Sequence, residues 1–158
     1  MAAQKNAFIH ALVREQSTWL ELIEVLHLEE VALLQGDSEK LESLNEPKLT
    51  LLQILGKHIH ARNTSLTALA FEPSHSGMSA WVSACAEEQV TVLWHRLCEF
   101  ELDAQSLNKR IGALIDMRLT TTRQALNVLF TCTADQGGLY SNDGMALGPA
   151  SGRALYAA

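Results

Sequence analysis

The 158 residues suffice for one domain with a buried core, and 47% apolar against 19% charged side chains is the balance of a globular protein, not of a disordered chain. A net charge of −6 argues against general phosphate binding, which needs clustered Lys and Arg, and so sets nucleic acid aside. The charge is uneven: seven Lys/Arg face fifteen Asp/Glu in residues 1–103 (−8) and five face three in residues 104–158 (+2), so the two parts meet partners with opposite bias.

The amino terminus runs straight into an amphipathic pattern that contains His10, Arg14 and Glu15. It holds no apolar leader core, and no stretch reaches the ~18 apolar residues of a membrane span, so the expected address is the cytoplasm, without stable membrane insertion. From about residue 4 to 35, Ile9, Leu12, Trp19, Ile23, Leu26 and Leu33 keep the 3-4 alternation of a helical stripe. Phe8, Leu20, Leu22, Val31 and Leu34 widen that face, which predicts contact with more than one neighbour. Gly36 suits the residue just past a helix end, and Asp37-Ser38 can cap the next helix with their side-chain oxygens.

The second helix is expected over about 38–71. Leu41 and Leu44 open it, and Asn45-Glu46-Pro47 follows. Either Asn45 caps a new helix with Pro47 in its first turn, or one helix is kinked there. Leu49, Leu52, Leu55, Ile59, Leu66 and Leu69 carry the face to about Phe71, and Glu72-Pro-Ser-His-Ser-Gly77 has the composition of a loop.

A third, very long helix is expected over about 79–132. Val90, Leu93, Leu97, Phe100, Ala104, Leu107, Ile111 and Leu114 form a coiled-coil-like seam. The phase then slips by one residue and continues as Ile115, Leu119, Thr122, Leu126 and Leu129. Together these patterns predict an all-α fold: an elongated antiparallel three-helix bundle over 1–132, with one very long carboxy-terminal helix and a flexible tail at 133–158 rich in Gly, Ala, Ser and Asp. At ~1.5 Å per residue the third helix would be roughly 80 Å long against about 45–50 Å for the first two, so it would overrun the turn at Gly36. The overrun, about 115–132, carries Leu119, Leu126, Leu129 and Phe130. Covering that stripe requires a binding partner, a second copy of the chain, or a fold-back onto the bundle. The β-branched run Thr120-Thr121-Thr122 at its root could serve as a bend.

Catalytic chemistry finds little footing. Glu24-Val-Leu-His27 is a single ExxH, whereas a di-iron bundle needs two of them and two further inward glutamates. His58 and His60 point to different faces, and His95 with Glu99 is an ordinary surface pair. No nucleophile elbow, phosphate loop or zinc-protease string occurs, and no cysteine has a histidine beside it in sequence. Cys85, Cys98 and Cys132 form no CxxC pair and read as reduced, packed thiols. Trp19, Trp81 and Trp94 read as helix packing, and Glu29-Glu30 and Glu87-Glu88 as solvated faces. The expectation is a binding protein that uses no cofactor and no metal and is not an enzyme.

The carboxy-terminal third resembles the FlgN-type flagellar export chaperones. Leu107-Asn108-Lys-Arg-Ile-Gly112-Ala-Leu114-Ile115, then Arg123-Gln-Ala-Leu126-Asn-Val-Leu129, then Leu139-Tyr140-Ser-Asn-Asp143-Gly144 are similar, in order, to that family's patterns. Glu46-Pro-Lys48-Leu-Thr-Leu51-Leu52-Gln-Ile-Leu55, followed by Arg62, also resembles a family helix. Two departures stand out: Ile111 occupies a place where the family often has a second Asn, and Ser141 replaces a Gly. The resemblance implies a cytoplasmic chaperone for hook–filament junction (hook-associated) proteins that delivers them to the export apparatus. On that reading Ile115, Leu119, Leu126, Leu129 and Phe130 would dock an amphipathic terminal helix of the cargo. Leu139, Tyr140, Asp143 and Gly144 would contact the export gate, the export ATPase complex, or more of the cargo. The competing expectation is a structural coiled coil or self-assembling scaffold, whose overrun would pair with a copy of itself in a homodimer.

Overall fold

A computed structural model describes the backbone of residues 2–136 and the side chains of residues 4–132. The described chain is all-helical: α1 is Ala2–Gln35, α2 Ser38–Ala68, α3 His75–Cys85 and α4 Glu88–Gln136. It divides after Ile115 into two units, and the four helices meet in the first of them.

The turn between α1 and α2 follows from three residues. Gly36 takes φ 75°, a conformation that costs glycine nothing. This lets the Gly36 and Asp37 N–H groups donate back to the Leu33 and Ala32 carbonyls at 3.3 and 3.0 Å, closing the end of α1. The Asp37 carboxylate then accepts from the Lys40 N–H at 2.9 Å and caps α2. α2 is one helix with Pro47 inside it, so the alternative of a fresh start at Asn45 is not realised. It ends at Ala68, three residues before the expected end at Phe71, because Ala70 takes φ 62° and the Phe71 N–H returns to the Leu66 carbonyl at 2.9 Å.

The single helix expected over 79–132 is two helices. Ser74, whose hydroxyl accepts from the Gly77 N–H at 3.1 Å, starts α3 inside the stretch read as loop. Glycine is required at 77, since a Cβ there would sit 1.9 Å from the Glu72 carbonyl oxygen. The chain then breaks at Ala86, φ 52°, before α4 begins. Helical phase explains the break. The buried residues of α3 (Met78, Trp81, Val82) and of early α4 (Val90, Trp94, Leu97) lie roughly 130° apart on one continuous helix at 100° per residue. No straight helix could turn both sets toward α1.

Two apolar clusters make the core. In the first, Phe8 and Leu12 meet Leu66, Trp81, Val90 and Leu97, with Phe8 and Trp81 edge-on at 4.6 Å. In the second, Leu22, Leu26 and Leu33 meet Leu55, Ala104, Leu107 and Ile111. Ile111, the departure from the family pattern, therefore adds an apolar layer. Some expected positions differ by one step: Trp94 is buried where Leu93 was expected to be, while Leu20, Val31 and Leu34 on α1 are exposed.

A polar band at Glu15 separates the two clusters, and a second carboxylate, Glu29, is set within the second. Glu15, 1% exposed, faces Arg62 of α2 at 2.7 Å, and the Arg62 guanidinium lies over the Trp94 ring at 5.5 Å. Two heptads along each helix, the nearly buried Glu29 meets Lys48 at 2.6 Å. These two pairs fix α1 and α2 as an antiparallel hairpin in one register. Lys5–Glu87 at 2.6 Å and Glu30–Arg110 at 2.8 Å align α4 parallel to α1. Hence Glu29 and Glu30, expected on solvated faces, are partly or wholly buried and paired, while Glu87 is exposed as expected and also meets a cation. The spacing marked Glu29 and Glu30 as surface because their cations are remote in sequence.

Candidate functional site

Ile111 is the last buried residue of α4, Leu114 is half-buried, and Ile115 is 39% exposed. From Asp116 to Cys132 every described side chain is exposed. The helix nevertheless continues without interruption through the three threonines. Thr120 and Thr121 donate their hydroxyls to the Asp116 and Met117 carbonyls at 2.9 and 3.0 Å, so the run is accommodated inside α4 and does not end it. The phase slip read after Leu114 thus coincides with the end of the packed core.

Leu119, Leu126, Leu129 and Phe130 are 48%, 46%, 61% and 69% exposed. At 100° per residue they fall within an arc of about 100°, the width of one helical contact face. Arg118 and Arg123 border that arc on its two sides, at roughly 20° beyond each edge. Met117 and Val128, 59% and 60% exposed, form a second apolar strip on the opposite side of the helix. Sequence reasoning passed over that strip, although the i, i+11 spacing, three helical turns, was there to find it. The tail residues Leu139, Tyr140, Asp143 and Gly144 lie outside the described residues.

The groups weighed for chemistry are scattered. Glu24 and His27 stand exposed on α1, and among the described residues no three His, Cys, Asp or Glu side chains gather closely enough to hold a metal ion. The fold does bring one thiol to one imidazole, Cys98 Sγ to His75 Nε2 at 3.5 Å, which the sequence order hid. Burial pushes the Cys98 thiol up, with Glu101 adding to the effect, whereas a nucleophilic cysteine needs the reverse. All three cysteines are free. No described helix is long and apolar enough to cross a membrane.

Comparison with known families decides the class. The family model described as FlgN protein matches residues 1–148. The chain belongs to the FlgN family. The match includes α1, which by residue pattern alone is only an amphipathic helix. FlgN proteins are flagellar export chaperones, a binding family and not an enzyme family, and an all-helical chain with an exposed apolar helix face fits that class. No curated protein and no solved structure matches the chain.

Proposed function

We propose that this FlgN protein holds hook-associated junction proteins in the cytoplasm before export and passes them to the flagellar export apparatus. The observation that carries the reading is the arginine-bordered apolar face of α4. A terminal cargo helix with a leucine-type stripe and acidic flanks complements it in a helix-in-groove manner, with Leu119, Leu126, Leu129 and Phe130 as anchors and Ile115 at the near end. Covering the exposed half of a leucine side chain contributes about 1 kcal/mol, so four anchors supply a few kcal/mol and the flanking charges set orientation. The Leu139–Gly144 motif is the handle for the export gate or export ATPase complex. Its residues are separate in sequence from those of the cargo face.

Co-expression with a hook-associated protein tests this directly. Full-length chain co-purifies with cargo in a stable complex, and a chain ending after Leu114 does not. Full cargo binding by that truncation would sink the assignment. A stable homodimer dissociated by Leu126→Glu, with no cargo captured by the wild type, would instead favour the scaffold reading.

A further inference from the structure

On the outer side of the α1–α2 hairpin runs an open groove of about 700 Å³. Its floor is apolar: Val25 from α1, with Pro47, Leu51 and Ile54 from α2. Its rim is acidic: Glu21 and Glu24 on one wall and Glu46 on the other. No Lys, Arg or His lines it among the described residues. Elsewhere in the same unit Glu15, Glu29, Glu30 and Glu87 each have a cation, yet among the described residues none of the three rim carboxylates takes part in an ion pair.

A second feature points the same way. Pro47 sits well inside α2 and has no N–H, so the carbonyl of Ser43, a residue that also lines the groove, lacks its i+4 amide donor. The groove therefore presents an apolar floor beneath negative charge, with no cation among the described residues answering it.

We propose that this groove receives a cationic amphipathic helix of a partner protein, distinct from the cargo bound by α4. The proposal does not rest on the cargo reading. The hairpin register places Glu46 about ten residues along the groove from Glu21, roughly 15 Å at 1.5 Å per residue. The fitting helix thus has an apolar stripe about three turns long, with Lys or Arg along both its edges. A second copy's exposed α4 segment matches that description less well. Over 116–132 its cations are Arg118 and Arg123, two charges about 7.5 Å apart along the helix, against three rim carboxylates spread over roughly 15 Å.

The test uses the full-length protein and a labelled synthetic peptide of about fourteen residues with a leucine stripe flanked by lysines, read by fluorescence anisotropy at low and high salt. Glu21→Gln/Glu24→Gln/Glu46→Gln weakens binding by about tenfold or more, and Ile54→Glu, which changes the floor, also weakens it. The control Glu88→Gln/Glu99→Gln/Asp103→Asn, with the same change in net charge outside the groove, leaves binding within about twofold. Circular dichroism establishes that each variant is folded. Equal loss in groove and control variants, or equal affinity for a glutamate-for-lysine peptide, overturns the proposal. So does light scattering that shows the wild type to be a dimer and the groove variant a monomer, because a second copy then fills the groove.

Discussion

Residues 2–115 and residues 116–132 carry the same 3-4 apolar rhythm and use it in opposite ways. In the first stretch the rhythm is satisfied internally: Leu12, Leu66, Leu97 and Ile111 are at most 2% exposed, and the glutamates that intrude on the seam have their own cations. In the second, the leucines at the same spacing are about half exposed. Periodicity reports that a helix has an apolar face. What covers the face depends on which neighbours the chain folding brings, and no local pattern contains that information.

Substitutions in the two stretches therefore fail differently. The largest effect is expected at the polar band. Arg62→Leu leaves Glu15 buried without its cation and costs about 3–5 kcal/mol, read as a fall in the urea midpoint. Glu15→Leu/Arg62→Leu recovers most of that loss, because an apolar pair of similar volume removes both charges. A double variant as unstable as the single would show that the band stabilises by more than charge pairing. Gly77→Ala comes next. The clash with the Glu72 carbonyl forces the start of α3 to shift, and thermal denaturation should show a loss of about 2 kcal/mol.

For Leu126→Glu the two readouts separate. Stability stays within about 0.5 kcal/mol, since the side chain is exposed, while capture of a hook-associated protein falls about tenfold or more. If Leu126→Glu unfolds the protein, the stripe belongs to the fold and the comparison collapses.

The smallest effect concerns pH. Burial raises the Glu15 carboxyl above its ordinary value, with Glu101 adding to the rise, and Arg62 and the adjacent Trp19 indole oppose it without cancelling it. Folded chain therefore binds that proton more tightly than unfolded chain. The resulting stabilisation is fully present below the unfolded carboxyl pKa and is lost as pH rises through the raised folded value. Urea midpoints of wild type and Glu15→Gln should diverge as pH rises from 4 to 7, with wild type losing ground. Parallel pH profiles would mean that Glu15 is held without a net penalty.

Much of the fold is legible in the residues. Gly36 and Asp37 announce a tight reversal, the α1 and α2 stripes name most of their buried leucines, and the slip after Leu114 marks where burial stops. Two things are not legible, each for a physical reason. Ala86 and Ala70 take left-handed conformations that alanine does not signal, so the break between α3 and α4 is imposed by packing and not by propensity. Glu15 and Glu29 occupy seam positions that read as surface, because their partners lie 47 and 19 residues away. The α4 face itself is visible at sequence level, since a helix wheel needs only spacing. The acidic groove is not, because it takes shape only when two helices align.

The paired carboxylates of α1 also act as a check on assembly. Sliding α2 by one heptad in either direction along α1 would set Glu15 against Leu55 or Leu69 and Glu29 against Leu41 or Leu55. Every such slipped hairpin buries two negative charges among leucines, while leaving Arg62 and Lys48 unanswered. Leucine seams alone would accept several alignments at similar energy. Two glutamates, at matched spacing with two cations, leave one that closes.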